Sequence, residues 1–393
     1  MPLAASSKPL PPGTQVFASF LRLGLTAFGG PSMVTYIRKM AVEDKRWLDD
    51  EDFRDGVVLC QSIPGATAMQ TAAYVGLRTR GIVGAGAAFI GFGLPGFLLM
   101  MTLSALYQLG RSLPMVVATF GGLQAIVVAV VAYATMSFGK TSLTSWNRTL
   151  IAAIAAALFG LGLNPMAVIV LAALGRVAFV KSKSDPVRSD VVQAQAIHGS
   201  VKPLLAIVLI VATGFVTLYL LQPRLFDLAA LMFRIDMFAF GGGFASVPLM
   251  YHEIVDVRNW MDGPTFLNGI VLGQVTPGPI VIIATFVGYW LEGILGGIIA
   301  TFGVFLPSFL MVVGFVPFFD KLRALPSFNK VISGILCSFV GLLLTVTIHF
   351  AGDVHWDLPR FILAGAALGA LLLKVDILWV VVVGAIISMV VVR

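Results

Sequence analysis

Arg22 and Arg234 each lie well inside an apolar run, where an ionised side chain has to be accounted for. In the run beginning at Thr14, Arg22 would stand roughly 12 Å along a helix that rises about 1.5 Å per residue, a depth at which lipid solvates a guanidinium poorly. Two readings are open. Each arginine snorkels or pairs with a carboxylate such as Asp236, or the two hold an anion at the centre of the protein. The same runs are interrupted at Gly29-Gly30, Pro64-Gly65, Gly241-Gly242 and Pro277-Gly278. Proline removes a backbone donor and glycine allows the chain to reverse, so helices stop and restart there. A helix starting inside a membrane leaves its first N–H groups unpaired and points its positive end into the break, which suits an oxyanion. Gln61, Ser62 and Thr67, with Gln274 and Thr276 opposite, supply neutral hydrogen bonds to such an ion. A single break would be read more simply as packing. Four breaks in two mirrored pairs favour the anion site.

The elements that must position these residues are membrane helices. Of 393 residues, 58% are apolar and 11% charged, with 26 Lys plus Arg, 19 Asp plus Glu and a mean hydropathy of +0.96. That is too little charge to cover a water-facing surface. The net charge of +7 is gathered in short loops, as orientation signals are, and not on a nucleic-acid-binding face. The first thirteen residues lack the apolar core of a signal peptide and are expected to form a disordered tail. Cys60 and Cys337 fall inside apolar runs and are expected to be buried packing residues.

The chain contains itself twice. A shift of 212 positions lays Arg22, Ala27, Phe28, Gly29 and Gly30 on Arg234, Ala239, Phe240, Gly241 and Gly242. One residue further, Trp47, Asp49, Gln61, Pro64 and Gly65 fall on Trp260, Asp262, Gln274, Pro277 and Gly278. Gly76, Gly81, Pro95 and Pro114 return to the first shift, on Gly288, Gly293, Pro307 and Pro326. The organisation expected is a tail (1–13), a first repeat (14–180), a polar cytoplasmic linker (181–200), a connecting transmembrane helix (201–222) and a second repeat (223–393). One extra crossing inverts the second repeat. The charges agree: the loop from Arg38 to Arg54 carries five bases, whereas Tyr251 to Pro264 carries Arg258 against Glu253, Asp256 and Asp262. With a cytoplasmic N-terminus the first loop is inside and the second outside. The fold class expected is an all-α polytopic membrane protein, an inverted repeat with broken or re-entrant helices.

The strings FLRLGLTAFGGPS and QSIPGATAMQTAAYVG in the first half, with MFRIDMFAFGGGFASVPLM and GQVTPGPIVIIATFVGYW in the second, resemble the chromate transporter family in its long, two-domain form. The resemblance runs from about Phe17 to Val392. It implies a multi-pass protein of the bacterial inner membrane that exports chromate, a tetrahedral dianion shaped like sulfate, and confers resistance to it. Pro31 becomes Gly243, Ala66 becomes Pro279, Asp55 becomes Asn268, and Arg78 has no basic equivalent near Glu292, so the two halves are not expected to work equally.

Rival classes leave little trace. ATMSFGKT, from Ala134 to Thr141, lacks the first glycine of a phosphate loop, and His198, His252, His349 and His355 have no metal-site spacing. An enzyme would need paired carboxylates, and the acidic cluster Glu43 to Asp55 is interleaved with bases as in a solvated loop. No cofactor and no metal is expected. A passive channel would share the broken helices, and sulfate is an alternative cargo. The coupling ion and the oligomeric state are open, a homodimer being one option.

Overall fold

The structure is a computed structural model that describes residues 11–28, 32–179, 201–315 and 326–391. Most of the expected tail, the linker 181–200 and the break residues Gly29, Gly30 and Pro31 lie outside the described residues. The first half runs α1 Gly13–Thr26, α2 Ser32–Arg38, α3 Asp50–Ser62, α4 Thr67–Gly110, α5 Pro114–Ser142, α6 Trp146–Gly160 and α7 Pro165–Phe179. After α8, Val201–Leu221, the second half repeats the order as α9 Pro223–Phe238, α10 Ser246–Tyr251, α11 Gly263–Val275, α12 Ile283–Phe315, α13 Pro326–Asp353, α14 Leu358–Leu372 and α15 Ile377–Val391. Five of these helices are long and apolar enough to cross a membrane, α8 among them. The protein is an all-α polytopic membrane protein.

The duplication is visible in the backbone. Residues Arg80 and Gly81 leave helical geometry inside α4, and Glu292 and Gly293 do so inside α12; the two glycines have φ of 63° and 61°. Each long helix therefore folds into a tight hairpin, with the Gly76 backbone against Gly84 in one half and Gly288 against Gly296 in the other. Side chains at those positions would meet carbonyl oxygens, which is why glycine recurs there.

α3 and the first limb of α4 form a re-entrant pair. Tyr74 donates to the Asp52 carbonyl at 3.2 Å, Arg78 holds the Asp52 carboxylate at 2.8 Å, and Gly56 lies against the Tyr74 ring. α3 thus climbs from the face bearing the α4 kink and the chain returns to that face. α1 starts there too, since Arg80 donates to Pro11 O, and the ion pair Arg38–Asp50 brings the end of α2 back to the start of α3. In the second half Arg224 lies 3.8 Å from Glu292, so α9 starts beside the α12 kink.

The two kinks lie at opposite faces because the long limbs of α4 and α12 are antiparallel. Phe89 packs on Phe305 and Phe309, while Met101, further along α4, reaches back to Gly297. The repeat is inverted. Its pseudo-twofold passes between Thr135 on α5 and the equivalent Thr347 on α13, whose hydroxyls are 3.3 Å apart. Around this axis the halves exchange partners: α14 and α15 pack on α5, and α6 and α7 on α13. α8 stands at the perimeter, seated on α9 through Phe215 against Phe226 and Phe233. Both cysteines are free and buried.

The segments read as the loops 38–54 and 251–264 are more ordered than their charge suggested. Each contains a π-helix, Lys39–Asp44 and His252–Val257, closed by Lys45 N–H on Met40 O and Arg258 N–H on Glu253 O. Each then ends on an aspartate cap, Asp49 accepting from Asp52 N–H and Asp262 from Thr265 N–H, both at 2.7 Å. Wide turns satisfy the amides that a polar composition alone would leave to water.

Candidate oxyanion site

The breaks meet between the halves. α1 and α9 end in residues that have left helical geometry, Ala27 and Ala239, whose carbonyls can no longer accept within the helix. Gly65 N–H donates to Ala239 O at 2.9 Å and Gly278 N–H to Ala27 O at 3.2 Å. Each Pro-Gly break is therefore pinned to the broken helix of the opposite half. Gly65 and Gly278 adopt φ of 121° and 109°, the left-handed region that glycine enters without strain. A Cβ on Gly242 would lie 3.4 Å from Thr67 Oγ1, and one on Gly243 would touch Val281 and Ile280, so the triple-glycine turn is wedged between the starts of α4 and α12. The amides of Thr67, Ala68 and Met69 in the first turn of α4 have no intrahelical acceptor, and the residue before them, Ala66, adjoins Gly65 at this crossing.

The side chains singled out from the sequence divide. Gln274, Thr276 and Gly278 line one small cavity with Phe244, of about 20 Å³, room for about one water and too little for a tetrahedral oxyanion. Gln274 Nε2 is buried there without a partner, while Thr276 donates to Leu272 O at 2.7 Å. On the other side Ser62 donates to Val58 O, Gln61 is exposed, and Pro64 and Gly65 are buried. Gly241 packs against Phe138 and Leu336.

The two arginines are not equivalent. Arg234 holds Glu253 at 2.7 Å, with that carboxylate only 4% exposed and Arg258 3.8 Å from its other oxygen. The carboxylate expected as its partner, Asp236, lies two residues on and so on another side of the helix. Arg22 is exposed and makes no ion pair among the described residues. The reason is in the repeat: the residue of the first π-helix equivalent to Glu253 is Met40.

Three residues meet at the first break, two of them, Ser308 and Gln70, passed over in the sequence and the third, Asp236, read there only as a partner for an arginine. Asp236 is fully buried; its Oδ2 accepts from Ser308 N–H at 3.0 Å and Ser308 O–H at 2.7 Å. Ser308 Oγ in turn accepts from Ala66 N–H at 2.9 Å. Gln70, also fully buried, donates to Pro64 O at 2.5 Å. The available signal was a lone carboxylate and a serine after Pro307, each inside an apolar run. A second polar cavity, about 230 Å³, opens at the far end of α4, lined by Tyr107, Arg111, Gln124, Asn268, His355 and Arg360. Arg111 stacks on Trp290 and Arg360 pairs with Asp357, while Asn268 links Gln124 to Tyr107.

The model of the chromate transporter family matches this chain twice, over residues 14–177 and 226–389. An uncharacterized transporter of Methanocaldococcus jannaschii is 44% identical, covering 90% of this chain and 88% of its own. The chromate transport proteins of Cupriavidus metallidurans and Pseudomonas aeruginosa are 30% and 31% identical, covering 92% and 88% of this chain and 88% and 84% of their own. No solved structure matches. Two family matches laid over the two halves of one inverted repeat, with relatives that span nearly the whole chain, place it: the protein belongs to the chromate transporter family.

Proposed function

We propose that the protein carries chromate outward across the plasma membrane and so confers resistance to it. The observation that carries the proposal is the reciprocal pair Gly65–Ala239 and Gly278–Ala27, which ties each Pro-Gly break, and with it the start of the helix that follows, to the broken helix of the opposite half. Two relatives aligned over 92% and 88% of this chain are named chromate transport proteins. The ion is surrounded by Gly29, Gly30, Pro64, Gly65, Gly241, Gly242, Pro277 and Gly278, with Gln61, Ser62, Gln274 and Thr276; the Gly65 and Gly278 amides and the Ser62 and Thr276 hydroxyls, bonded within the protein in this form, turn to the ion when the breaks part. Arg22, which no carboxylate among the described residues neutralises, adds positive charge from α1, and Arg234 adds what Glu253 leaves uncancelled.

The face bearing the α4 kink is cytoplasmic, and with it the N-terminus. It gathers Arg38, Lys39, Lys45, Arg46, Arg54, Arg78 and Arg80, whereas the segment after α10 and the α12 kink carry Glu253, Asp256 and Glu292 against Arg258. The small cavity at Gln274 is then a closed form of the site, and transport requires the breaks to part. A dianion leaving a cell that is negative inside is helped by about 2.3 kcal/mol per charge per 100 mV. Purified protein in proteoliposomes, with voltage and pH gradient clamped separately, tests this. Saturable chromate flux that follows the voltage is expected. Non-saturating flux would mean a channel, and chromate flux absent beside sulfate flux would reassign the cargo.

A further inference from the structure

We propose that Asp236, with Ser308 and Gln70, is a proton-binding site linked to the oxyanion site, so that one proton binds together with each dianion. The inference rests on the oxyanion reading above and goes beyond it.

Asp236 is buried without a cation among the described residues. Among the described residues both donors that reach it, the amide and hydroxyl of Ser308, fall on Oδ2, and Oδ1 has no partner. A carboxylate in a low-dielectric interior with half its acceptors unmatched is better accommodated by taking up a proton than by remaining charged. The site offers a second acceptor beside it. Gln70 gives its amide hydrogen to Pro64 O, and its Oε1 is likewise buried without a donor among the described residues. The point where a Cβ on Gly65 would stand is 2.2 Å from Ser308 Oγ, 2.6 Å from Gln70 Nε2 and 3.2 Å from Asp236 Oδ2. The three side chains thus close on one glycine of the break. Packing that tight leaves no room for the oxygen shell of a metal cation, whereas a proton needs none.

The linkage follows from where this cluster sits. Asp236 reaches Ala66 N–H through the Ser308 hydroxyl, and Ala66 is the residue that starts α4. An ionised Asp236 therefore places negative charge beside the helix N-terminus that a dianion would use, and the two repel. Protonation removes the repulsion, and by reciprocity the dianion raises the affinity for the proton. The second break has no such cluster. The positions equivalent to Asp236 and Ser308 in the first half are Gly24 and Gly96, and Gly96 packs its backbone directly on Pro277 O.

The other titratable groups on the elements around α9 are engaged elsewhere. On α9 itself Arg224 meets Glu292 of α12 about 18 Å along the helix from Asp236, Asp227 is exposed, and Arg234 is held by Glu253. Tyr219 of α8 packs on Phe226, Tyr251 of α10 donates to Asp353, and Tyr289 lies on the short limb of α12 next to Gly288, which packs on Gly296 across the hairpin, and so stands about 18 Å along the long limb from Ser308 by the usual rise of about 1.5 Å per residue. Cys60 of α3 and Tyr74 of α4 lie toward Thr71 and Asp52. Titration near the first break thus falls to Asp236.

A dianion moving with one proton carries one net negative charge, so voltage still favours export, with half the pull, and a pH gradient alone drives chromate toward the alkaline side. The experiment uses proteoliposomes held at zero voltage. The parent should accumulate chromate against its gradient on a pH jump, with initial rates rising up to tenfold per unit of acidification on the side of uptake. Asp236→Asn should move chromate down its own gradient at a rate independent of pH and show no pH-driven accumulation. Accumulation retained by Asp236→Asn, or absent from a parent that does transport chromate, overturns the proposal. Proton binding is also read without any oxyanion, by reaction of a hydrophobic carbodiimide with the protonated carboxyl. Labelling at Asp236 that increases on acidification is expected, and pH-independent or absent labelling is the contrary result. A parent that labels in this way but carries no oxyanion would sink the transport reading and leave the proton site standing. Ser308→Ala, which keeps the carboxyl but frees Ala66 N–H, should shift the pH at which labelling is half complete and so covers the case in which Asp236→Asn fails to fold.

Discussion

The amide of Gly65 donates to the carbonyl of Ala239 across 2.9 Å, and the equivalent residues, Gly278 and Ala27, repeat the contact at 3.2 Å. The two bonds exchange under the pseudo-twofold that also relates Thr135 to Thr347. Because both partners are backbone, side-chain divergence between the halves leaves the crossing intact. What has diverged is its lining: Asp236 and Ser308 on one side, Gly24 and Gly96 on the other.

That asymmetry makes the two break glycines respond differently to one added methyl. Gly65→Ala would place Cβ 2.2 Å from Ser308 Oγ at a φ of 121°. Gly278→Ala would meet nothing within 4 Å among the described residues, and its φ of 109° is then what strains the backbone. The second change should cost about 1–2 kcal/mol of strain, lowering the melting temperature slightly with transport retained. The first should lower it more and abolish transport. Equal effects in a melting and flux assay would contradict the unequal packing.

The inverted repeat was legible because its carriers are Gly, Pro and Trp at fixed spacing, residues whose backbone demands do not depend on their neighbours. Pro64-Gly65 and Pro277-Gly278 announced themselves in this way. Asp236–Ser308–Ala66 did not, because its partners come from three segments and no single window contains them. The pairing of Arg234 was misjudged for a local reason. Asp236 is nearer in sequence, but two residues along a helix turns a side chain by about 200°, and Glu253 is brought round by the hairpin.

The two π-helical segments should be reached from opposite sides of the membrane. In a background with Cys60 and Cys337 replaced, single cysteines at Glu51 and Val257, both exposed, give the test. A membrane-impermeant maleimide added to intact cells should label the Val257 position and reach Glu51 only after permeabilisation. Labelling of both from one side would contradict the antiparallel packing of α4 and α12.

Asp50 ties the end of α2 to the start of α3 through Arg38, whose guanidinium holds the carboxyl below its usual value, with Arg54 adding to the effect. A carboxylate with a lowered folded-state value gives stability that is present above the unfolded value of 3.8 and is lost as the pH falls through the folded one. Corrected for the intrinsic pH dependence of amide exchange, hydrogen exchange over residues 38–54 should therefore be unchanged from pH 8 to 5 and quicken below about pH 4. Asp50→Asn should show the quickened exchange at neutral pH, and a parent-like profile for that variant would show that the pair does not order the segment.

Arg22 and Arg234 occupy one position of the repeat with different partners, and a comparison of their glutamine variants separates charge from structure. Arg234→Gln removes the 2.7 Å partner of Glu253 and leaves that buried carboxylate to Arg258 at 3.8 Å. Since Arg234 itself is 44% exposed, the loss should be moderate, about 1–2 kcal/mol, and Arg234→Gln with Glu253→Gln should recover most of it. Arg22→Gln breaks no ion pair among the described residues, so the protein should melt as the parent does. If Arg22 contributes charge to the oxyanion site, the same variant should lose the chromate-induced stabilisation, which for a ligand of the folded state grows as RT ln(1 + [L]/Kd). Melting curves at graded chromate concentrations read both effects at once. An Arg22→Gln protein with the parent's chromate response would remove Arg22 from the site and leave the anion to the backbone amides of the four breaks.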